Sequence, residues 1–173
     1  MGERETVLES VSRRLIVVSD TSPILSLALI ERLELLRDLY GSILIPEAVR
    51  SEIVATEQSG AREVGQAAWI ITRPVEPDVI LKLLRREVDQ GEAEAIGLAV
   101  HLAADVLLID ERKARHLAAY LELGVVGLLD VLQEAKQRQL IASVKPVLDD
   151  LIVRARFRLS RKLYQRTLYT AGE

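Results

Sequence analysis

The chain alternates short runs of apolar residues with longer segments in which apolar residues recur at helical spacing. Two runs, 15–18 and 106–109, are apolar throughout, and an aspartate follows each of them closely. Runs of this kind are typical of strands that are buried on both faces of a sheet. Shorter strands are predicted at 43–45, at 69–72 and around 125–126.

The segments between these strands carry the helical pattern. Helices are predicted over two segments within 22–40, and then over 46–56, 60–68, 78–87, 92–103, 112–121, 128–138, 146–154 and 160–168. Ser22 and Pro23 offer an N-cap and a first-turn proline for the first helix. Strands that alternate with helices predict a parallel sheet with helices on both faces and right-handed crossovers.

Length and patterning predict one domain that is preceded by a tail. Residues 1–13 are polar and weakly patterned, so we expect a disordered tail there. The remainder, 14–173, is long enough for a single domain with a substantial core. Additional C-terminal helices are expected within about 141–168.

Composition narrows the classes of function. The absence of cysteine excludes a disulfide framework and a thiolate zinc site, and it indicates a cytoplasmic protein. No apolar run approaches the roughly 20 residues of a membrane span, so no membrane association is expected. A net charge of −3 and 3% aromatic residues argue against nucleic-acid binding by bulk charge or by base-stacking platforms. An enzyme that contacts RNA locally is still compatible with this composition.

Acidic residues fall where the predicted elements bring them together. Asp20 and Asp110 both follow core strands, so both are expected at the carboxyl edge of the sheet, where open α/β sheets hold ligands. Glu52 lies on the border of the core-facing stripe of its helix. Glu92 is in line with Ile96 and so extends the apolar stripe of the next acidic helix. The pattern therefore points several carboxylates toward one place.

Carboxylates that point inward need a cation, because burying each unpaired charge costs several kcal/mol. No inward lysine or arginine appears on the helices that carry Glu52 and Glu92. A hard divalent ion such as Mg²⁺ or Mn²⁺, which prefers oxygen ligands, is the natural partner. Each residue taken singly also has a structural explanation, with Asp20 as a helix cap and the glutamates as ordinary residues of solvated helices.

Four motifs occur in an order that resembles a known family. They are Asp20-Thr21-Ser22-Pro23, Ile45-Pro46-Glu47-Ala48-Val49 followed by Glu52, Gly91-Glu92-Ala93-Glu94-Ala95-Ile96, and Leu107-Leu108-Ile109-Asp110-Glu111-Arg112. With these motifs the sequence resembles the PIN-domain nucleases. More narrowly, it is similar to the prokaryotic branch with a D-T-S-P opening and a G-E-x-E-A-I helix, whose distant relatives are VapC-type toxins. The resemblance covers roughly 15–164.

The resemblance implies a fold and an activity. The implied fold is a three-layer α/β/α sandwich with a mostly parallel central sheet. The implied activity is that of a ribonuclease that depends on Mg²⁺ or Mn²⁺ and hydrolyses RNA phosphodiester bonds with a metal-activated water. The implied metal-binding and catalytic acids are Asp20, Glu52, Glu92 and Asp110. The residues expected to orient the site lie beside them: Thr21, Ser22, Glu94 and Glu111.

The chain departs from VapC-like toxins at two points. Many of those toxins have aspartate at the third acidic position, where this chain has Glu92 with Glu94 close by, so either glutamate is a candidate for the third ligand. This chain is also longer than a typical toxin and carries its extra helices beyond about Leu140. Toxin-like relatives are commonly dimeric and silenced by a small antitoxin, so an RNA substrate, an antitoxin protein and a homodimer are the expected partners.

Basic residues provide candidate contacts to RNA. Arg112, Lys113 and Arg115 follow Asp110 closely and are candidates for binding a substrate phosphate, the alternative being a solvated helix face. From Lys145 onward the following basic residues face few acids: Arg154, Arg156, Arg158, Arg161, Lys162 and Arg166. Such a patch suits RNA, an acidic partner or the N-terminal tail equally well.

Two other functions fit parts of the pattern. One is a catalytically degenerate PIN-fold module that binds RNA or protein, which predicts no binding of divalent ions. The other is a phosphoacceptor signalling domain of flavodoxin-like order. That class needs an acidic pair after its first strand and a lysine after a late one, and this chain has neither. His101 and His116 have no partner at useful spacing and are expected to be structural.

Overall fold

A computed structural model describes residues 14–56 and 59–173 of the chain. The predicted N-terminal tail, 1–13, lies outside the described residues. Within the described ranges the chain forms five strands and ten helices, and their order follows the alternation that the sequence predicts. No helix in these ranges is both long enough and apolar enough to cross a membrane.

The strands are short, and each is followed by at least one helix. In chain order the elements are β1 (Val17–Ser19), α1 (Thr21–Leu29), α2 (Glu34–Tyr40), β2 (Ile43–Pro46), α3 (Glu47–Ala55), α4 (Ser59–Gln66), β3 (Ile70–Arg73), α5 (Val79–Glu87), α6 (Gln90–His101), β4 (Val106–Leu108), α7 (Arg112–Tyr120), β5 (Val125–Val126), α8 (Leu128–Gln137), α9 (Val144–Val153) and α10 (Arg161–Thr170).

The five strands form one parallel sheet in the order β3-β2-β1-β4-β5. The chain winds outward from β1 to β3 and then crosses back to β4, on the other side of β1. A reversal of this kind opens a crevice at the carboxyl ends of the two central strands, where ligands bind. The order also differs from the 2-1-3-4-5 order of flavodoxin-like signalling domains. The phosphoacceptor alternative is therefore wrong in its topology.

Side chains of the central strands alternate between two apolar layers. Val17 and Leu108 pack on one face with residues of α1, α2, α3, α4, α8 and α9. Val18 and Leu107 pack on the opposite face with residues of α5, α6 and α7. The prediction of a three-layer α/β/α sandwich with a parallel sheet is thereby confirmed.

The first helix begins two residues earlier than the sequence predicts. Asp20 has extended backbone geometry, with φ −78° and ψ 173°, and occupies the N-cap position, so helical residues start at Thr21 rather than after Ser22. Pro23 becomes the third helical residue, where a backbone N–H would have no intrahelical partner anyway. The Asp20 carboxyl group makes no side-chain capping hydrogen bond to α1, although the Thr21 backbone N–H lowers its pKa.

Candidate active site

Asp20 lies at the carboxyl end of β1 and is only 4% exposed. Because Val18, two residues earlier, packs toward α6, the alternation of the strand carries Asp20 to the same face. Burial raises the pKa of Asp20 to about 7, and the negative charges of Glu92, Asp89 and Glu52 act in the same direction. The carboxyl group thus sits among other acids in a place with little solvent.

Glu92 lies in the first turn of α6, where a capping box holds it. The Asp89 side chain accepts a hydrogen bond from the Glu92 backbone N–H at 2.9 Å, and Glu92 Oε2 accepts one from the Asp89 backbone N–H at 3.3 Å. Glu92 is nevertheless 7% exposed, and burial together with the Asp89 charge raises its pKa to about 6. The residue therefore has a structural role and also lies beside Asp20.

Glu52 reaches the same place from α3. The Thr21 hydroxyl group donates a hydrogen bond to the Glu52 carboxylate, and the charge of Glu52 raises the pKa of both Asp20 and Glu92. Gly91 permits this close approach, because a β-carbon at that position would overlap the Glu52 carboxylate. The structure therefore brings three of the predicted acids together, from β1, α3 and α6.

Asp110 lies at the same edge of the sheet as Asp20, but its side chain points to the opposite face. Its Oδ1 accepts a hydrogen bond from the Leu128 backbone N–H at 2.8 Å, at the start of α8. Burial raises the pKa of Asp110, whereas the Leu128 N–H and the Arg115 charge oppose that rise. Its Oδ2 is buried and has no hydrogen-bond partner within the described ranges.

Glu94 is buried, but both of its oxygens are engaged in structural contacts. Oε1 accepts hydrogen bonds from Arg85 at 2.8 Å and from Gln90 at 3.1 Å, and Oε2 accepts one from the Ala48 backbone N–H at 3.1 Å. These bonds join the start of α3 to α6. Glu94 thus holds in place the two helices that carry Glu52 and Glu92.

The remaining predicted residues lie at the rim of the site. Glu111 caps α7 by accepting a backbone hydrogen bond at 2.8 Å, and Ser22 is exposed. Lys113 forms a surface ion pair with Glu87 at 2.9 Å. Arg112 lines a groove that also includes Asp110, so it is the better placed of the two for a phosphate contact.

Arginine side chains reach the acids from helices other than those that carry Glu52 and Glu92. Arg85 of α5 pairs with Glu94, and Arg115 of α7 acts on Asp110 while its Nη1 donates to the Ile109 carbonyl oxygen at 3.2 Å. Arg85 was not singled out from the sequence, because nothing in local spacing relates α5 to Glu94. Asp89 was also missed, although its spacing to Glu92 is a sequence signature of a capping box.

The donors at the sheet edge suit a hard divalent cation. Carboxylate oxygens are the ligands that Mg²⁺ and Mn²⁺ prefer, and Asp110 Oδ2 has a coordination site that no described group uses. Asp20 and Glu92 are both buried acids, and the charge of Glu92 raises the pKa of Asp20. Among residues 14–56 and 59–173, no three acidic or histidine side chains form a ready-made metal site. Convergence of all four acids on one ion stays a prediction.

Comparisons with known proteins relate this architecture to one family. The DUF3368 family model, described as a PIN domain, matches residues 16–173. Among solved structures, a PilT N-terminus domain protein, SSO1118, from the hyperthermophilic archaeon Sulfolobus solfataricus P2 is similar in fold. It has a TM-score of 0.52 and 19% sequence identity, over 70% of this chain and 93% of that chain. No protein with a curated function matches the chain.

Proposed function

The chain belongs to the PIN-domain family, and from that premise we propose that it is a ribonuclease that depends on Mg²⁺ or Mn²⁺ and hydrolyses RNA phosphodiester bonds. PIN domains are in general nucleases. The observation that supports the proposal is the meeting of Asp20, Glu52 and Glu92 at the central edge of the sheet, with Asp110 on the neighbouring strand.

The acids that we propose as ligands of the cation are Asp20, Glu52, Glu92 and Asp110. Bound there, the ion supplies positive charge at the phosphodiester and lowers the pKa of a nearby water. Hydrogen bonds within the protein orient three of these acids: Thr21 binds Glu52, the Asp89 N–H binds Glu92, and the Leu128 N–H binds Asp110. The Leu128 bond uses Oδ1 of Asp110 and leaves Oδ2 for the cation.

Of the two neighbouring glutamates in α6, we assign Glu92 to the cation. Both carboxylate oxygens of Glu94 accept hydrogen bonds, and these bonds help to join α3 to α6. Within the described residues Glu92 uses only Oε2 in a hydrogen bond, and its charge raises the pKa of Asp20, so a cation held by both would relieve that repulsion.

Cleavage of a fluorophore-labelled RNA in the presence of Mn²⁺ tests the proposal. We expect Asp20→Asn and Asp110→Asn each to lower kcat/KM by about 100-fold or more, because each substitution removes an anionic ligand. A calorimetric titration with Mn²⁺ gives a second readout that does not depend on cleavage. Glu47→Gln is the matched control, since Glu47 is an exposed acid on the same helix as Glu52.

A double Asp20→Asn/Asp110→Asn variant that cleaves RNA as fast as the native protein would contradict this assignment. A native protein that neither cleaves RNA nor binds Mn²⁺ would instead identify the chain as a PIN-fold binding module without activity.

We further propose a cytoplasmic ribonuclease that acts as the toxin of a toxin–antitoxin pair and forms a homodimer. The support is the D-T-S-P and G-E-x-E-A-I motifs together with the absence of cysteine in the sequence. Induced expression is expected to arrest growth unless an antitoxin is expressed from a neighbouring gene. Light scattering of the purified protein tests the dimer.

A further inference from the structure

A groove lined with arginines begins at Asp110. It has a volume of about 500 Å³ and lies between α7, the start of α8 and the C-terminal segment that includes α10. The cationic residues that line it are Arg112, Arg115, Arg158 and Arg166, and its acidic residues are Asp110 and Asp130. The groove therefore concentrates positive charge on a protein whose net charge is −3.

Most of these arginines have no protein partner. The side chains of Arg112, Arg158 and Arg166 are exposed and make no ion pair or hydrogen bond with any residue that the structure describes. Arg115 is engaged, because it binds the Ile109 carbonyl oxygen and lies 3.7 Å from an Asp130 oxygen. Guanidinium groups that converge without partners are suited to bidentate binding of phosphate oxygens.

The groove also offers flat and apolar surface. Phe157 is partly buried and His116 is exposed, and both line the groove together with Leu129, Leu159 and Leu163. Aromatic and imidazole rings are the surfaces on which proteins stack the bases of single-stranded RNA. A surface that combines unpaired arginines with rings fits a nucleic acid better than it fits a purely acidic ligand.

We propose that this groove binds a single-stranded segment of RNA that flanks the bond cleaved at the acidic site, with Arg158 and Arg166 as its phosphate-binding residues. The inference rests on the proposed function, because it assigns the groove to the same substrate. Asp110 belongs both to the groove and to the proposed ligand set, so RNA that lies in the groove reaches the acids directly. The C-terminal segment thereby contributes to substrate binding.

Binding of a labelled RNA of ~10 nucleotides, measured by fluorescence anisotropy in EDTA at several salt concentrations, tests this inference without cleavage. We expect Arg158→Gln/Arg166→Gln to weaken binding about 10-fold. The slope of log affinity against log salt should fall in magnitude by about 1.4, because each lost contact to a single strand removes about 0.7. Arg158→Lys/Arg166→Lys keeps both charges and should keep the native salt slope, but part of the affinity should be lost because lysine cannot bind phosphate oxygens bidentately.

Arg161→Gln is the matched control, because Arg161 is exposed on the same C-terminal segment but lies outside the groove lining. Native affinity in this control supports the proposal, and an equal loss in it would overturn the assignment to the groove. Unchanged affinity and salt slope in the double Gln variant would overturn it as well. If an acidic peptide bound more tightly than RNA, with the same dependence on Arg158 and Arg166, the ligand of the groove would be an acidic protein partner rather than RNA.

The two proposals fail separately. RNA binding that depends on the two arginines, in a protein without Mn²⁺-dependent cleavage, supports the groove and contradicts the ribonuclease. Normal cleavage and binding in the double Gln variant contradict the groove and leave the ribonuclease intact. A thermal melting curve shows whether each variant is folded.

Discussion

At the scale of single residues, Gly91 leaves room for the Glu52 carboxylate against α6. A β-carbon at this position would overlap the Glu52 carboxylate, so Gly91→Ala forces Glu52 away from Asp20 and Glu92. We expect Mn²⁺-dependent cleavage to fall about tenfold or more, while the protein remains folded, because alanine is itself a good helix former. The measurement is kcat/KM on labelled RNA together with the melting temperature.

Gly65→Ala provides the control for that substitution. Gly65 lies in α4, and a β-carbon there meets no atom within 4 Å. Native activity is expected, with stability equal to or slightly above that of the native protein. Full activity in Gly91→Ala would show that the position of Glu52 does not matter for cleavage.

The roles of Glu92 and Glu94 can be distinguished by experiment, because we expect Glu94 to affect stability and Glu92 to affect binding of the cation. Glu94→Gln weakens the bonds to Arg85 and Ala48, so we expect a loss of about 1–3 kcal/mol in the free energy of unfolding. Glu92→Gln keeps the capping box, which accepts glutamine, but we expect Mn²⁺ affinity to fall about tenfold or more. Urea denaturation and calorimetry with Mn²⁺ measure the two effects, and the reverse result would make Glu94 the ligand.

At the scale of helices and strands, the periodicity of the sequence predicts most elements because each of them buries one recurring set of side chains. It does not reveal contacts between helices. The His101 side chain lies 2.7 Å from Asp78, a residue 23 positions away, and no local spacing relates the two.

The sequence predicts that Asp20 and Asp110 both follow central strands. It does not predict the register, which pairs Ser19 with Leu108 and so offsets the two aspartates by one residue.

This offset explains why the candidate site is only partly predictable. Consecutive strand residues point to opposite faces, so a shift of one residue directs Asp20 toward α6 and Asp110 toward α8. Helix patterning predicts that Glu92 extends the apolar stripe of α6, and Glu92 is buried there. The approach of Glu52 depends on Gly91 of another helix, which becomes visible only when both helices are in place.

The Glu173 carboxylate links the end of the described chain to the start of α9 and to α8. The Glu173 side chain accepts hydrogen bonds from the Val144 and Lys145 backbone N–H groups at 2.7 and 2.9 Å and from the Ser143 hydroxyl at 2.6 Å. It also pairs with Lys136 at 2.7 Å. The first turn of α9 has free N–H groups and a favourable dipole for a negative charge. The Lys136 and Ser143 contacts, chiefly, lower the pKa of Glu173 to about 2.

We expect Glu173→Gln to lower the melting temperature at pH 7 by about 2–6 °C, because it removes the ion pair and weakens the bonds to α9. A lowered pKa means that the contribution of Glu173 is complete above its unfolded value near 4.5 and is lost as the pH falls toward 2. The gap between native and variant melting temperatures should therefore close across that interval. Glu76→Gln is the control, because Glu76 is exposed, and it should have the same melting temperature as the native protein at pH 7.

At the scale of the whole molecule, the fold separates two charge environments at one edge of the sheet. Acids from β1, α3 and α6 meet on one face, whereas the groove beyond Asp110 collects arginines from α7 and the C-terminal segment. We expect the RNA substrate of the proposed ribonuclease to be attracted by the second region and repelled by the first until a cation is bound. Under the proposed function we therefore expect a divalent ion to be needed for RNA to approach the acids, whereas the groove binds RNA without it.

The same crowding of acids makes the stability of the metal-free protein depend on pH. The folded pKa of Asp20, about 7, lies above the value of about 3.9 expected in the unfolded chain, so the folded state binds the proton more tightly. Its contribution to stability is complete below about pH 4 and is lost as the pH rises through 7. Asp20→Asn removes this dependence, because the amide is neutral at every pH.

In EDTA at pH 8 we therefore expect Asp20→Asn to be more stable than the native protein by about 2–4 kcal/mol in urea denaturation, an advantage that disappears near pH 4. Added Mn²⁺ should stabilise the native protein at pH 8 and affect the variant much less, because binding to the folded state alone shifts the unfolding equilibrium. Glu47→Gln, which removes an exposed charge from α3, should match the native protein in both conditions. If Asp20→Asn proved less stable than the native protein at pH 8 in EDTA, the Asp20 carboxylate would be stabilised by its surroundings, and the electrostatic reason for a cation at this edge would be lost.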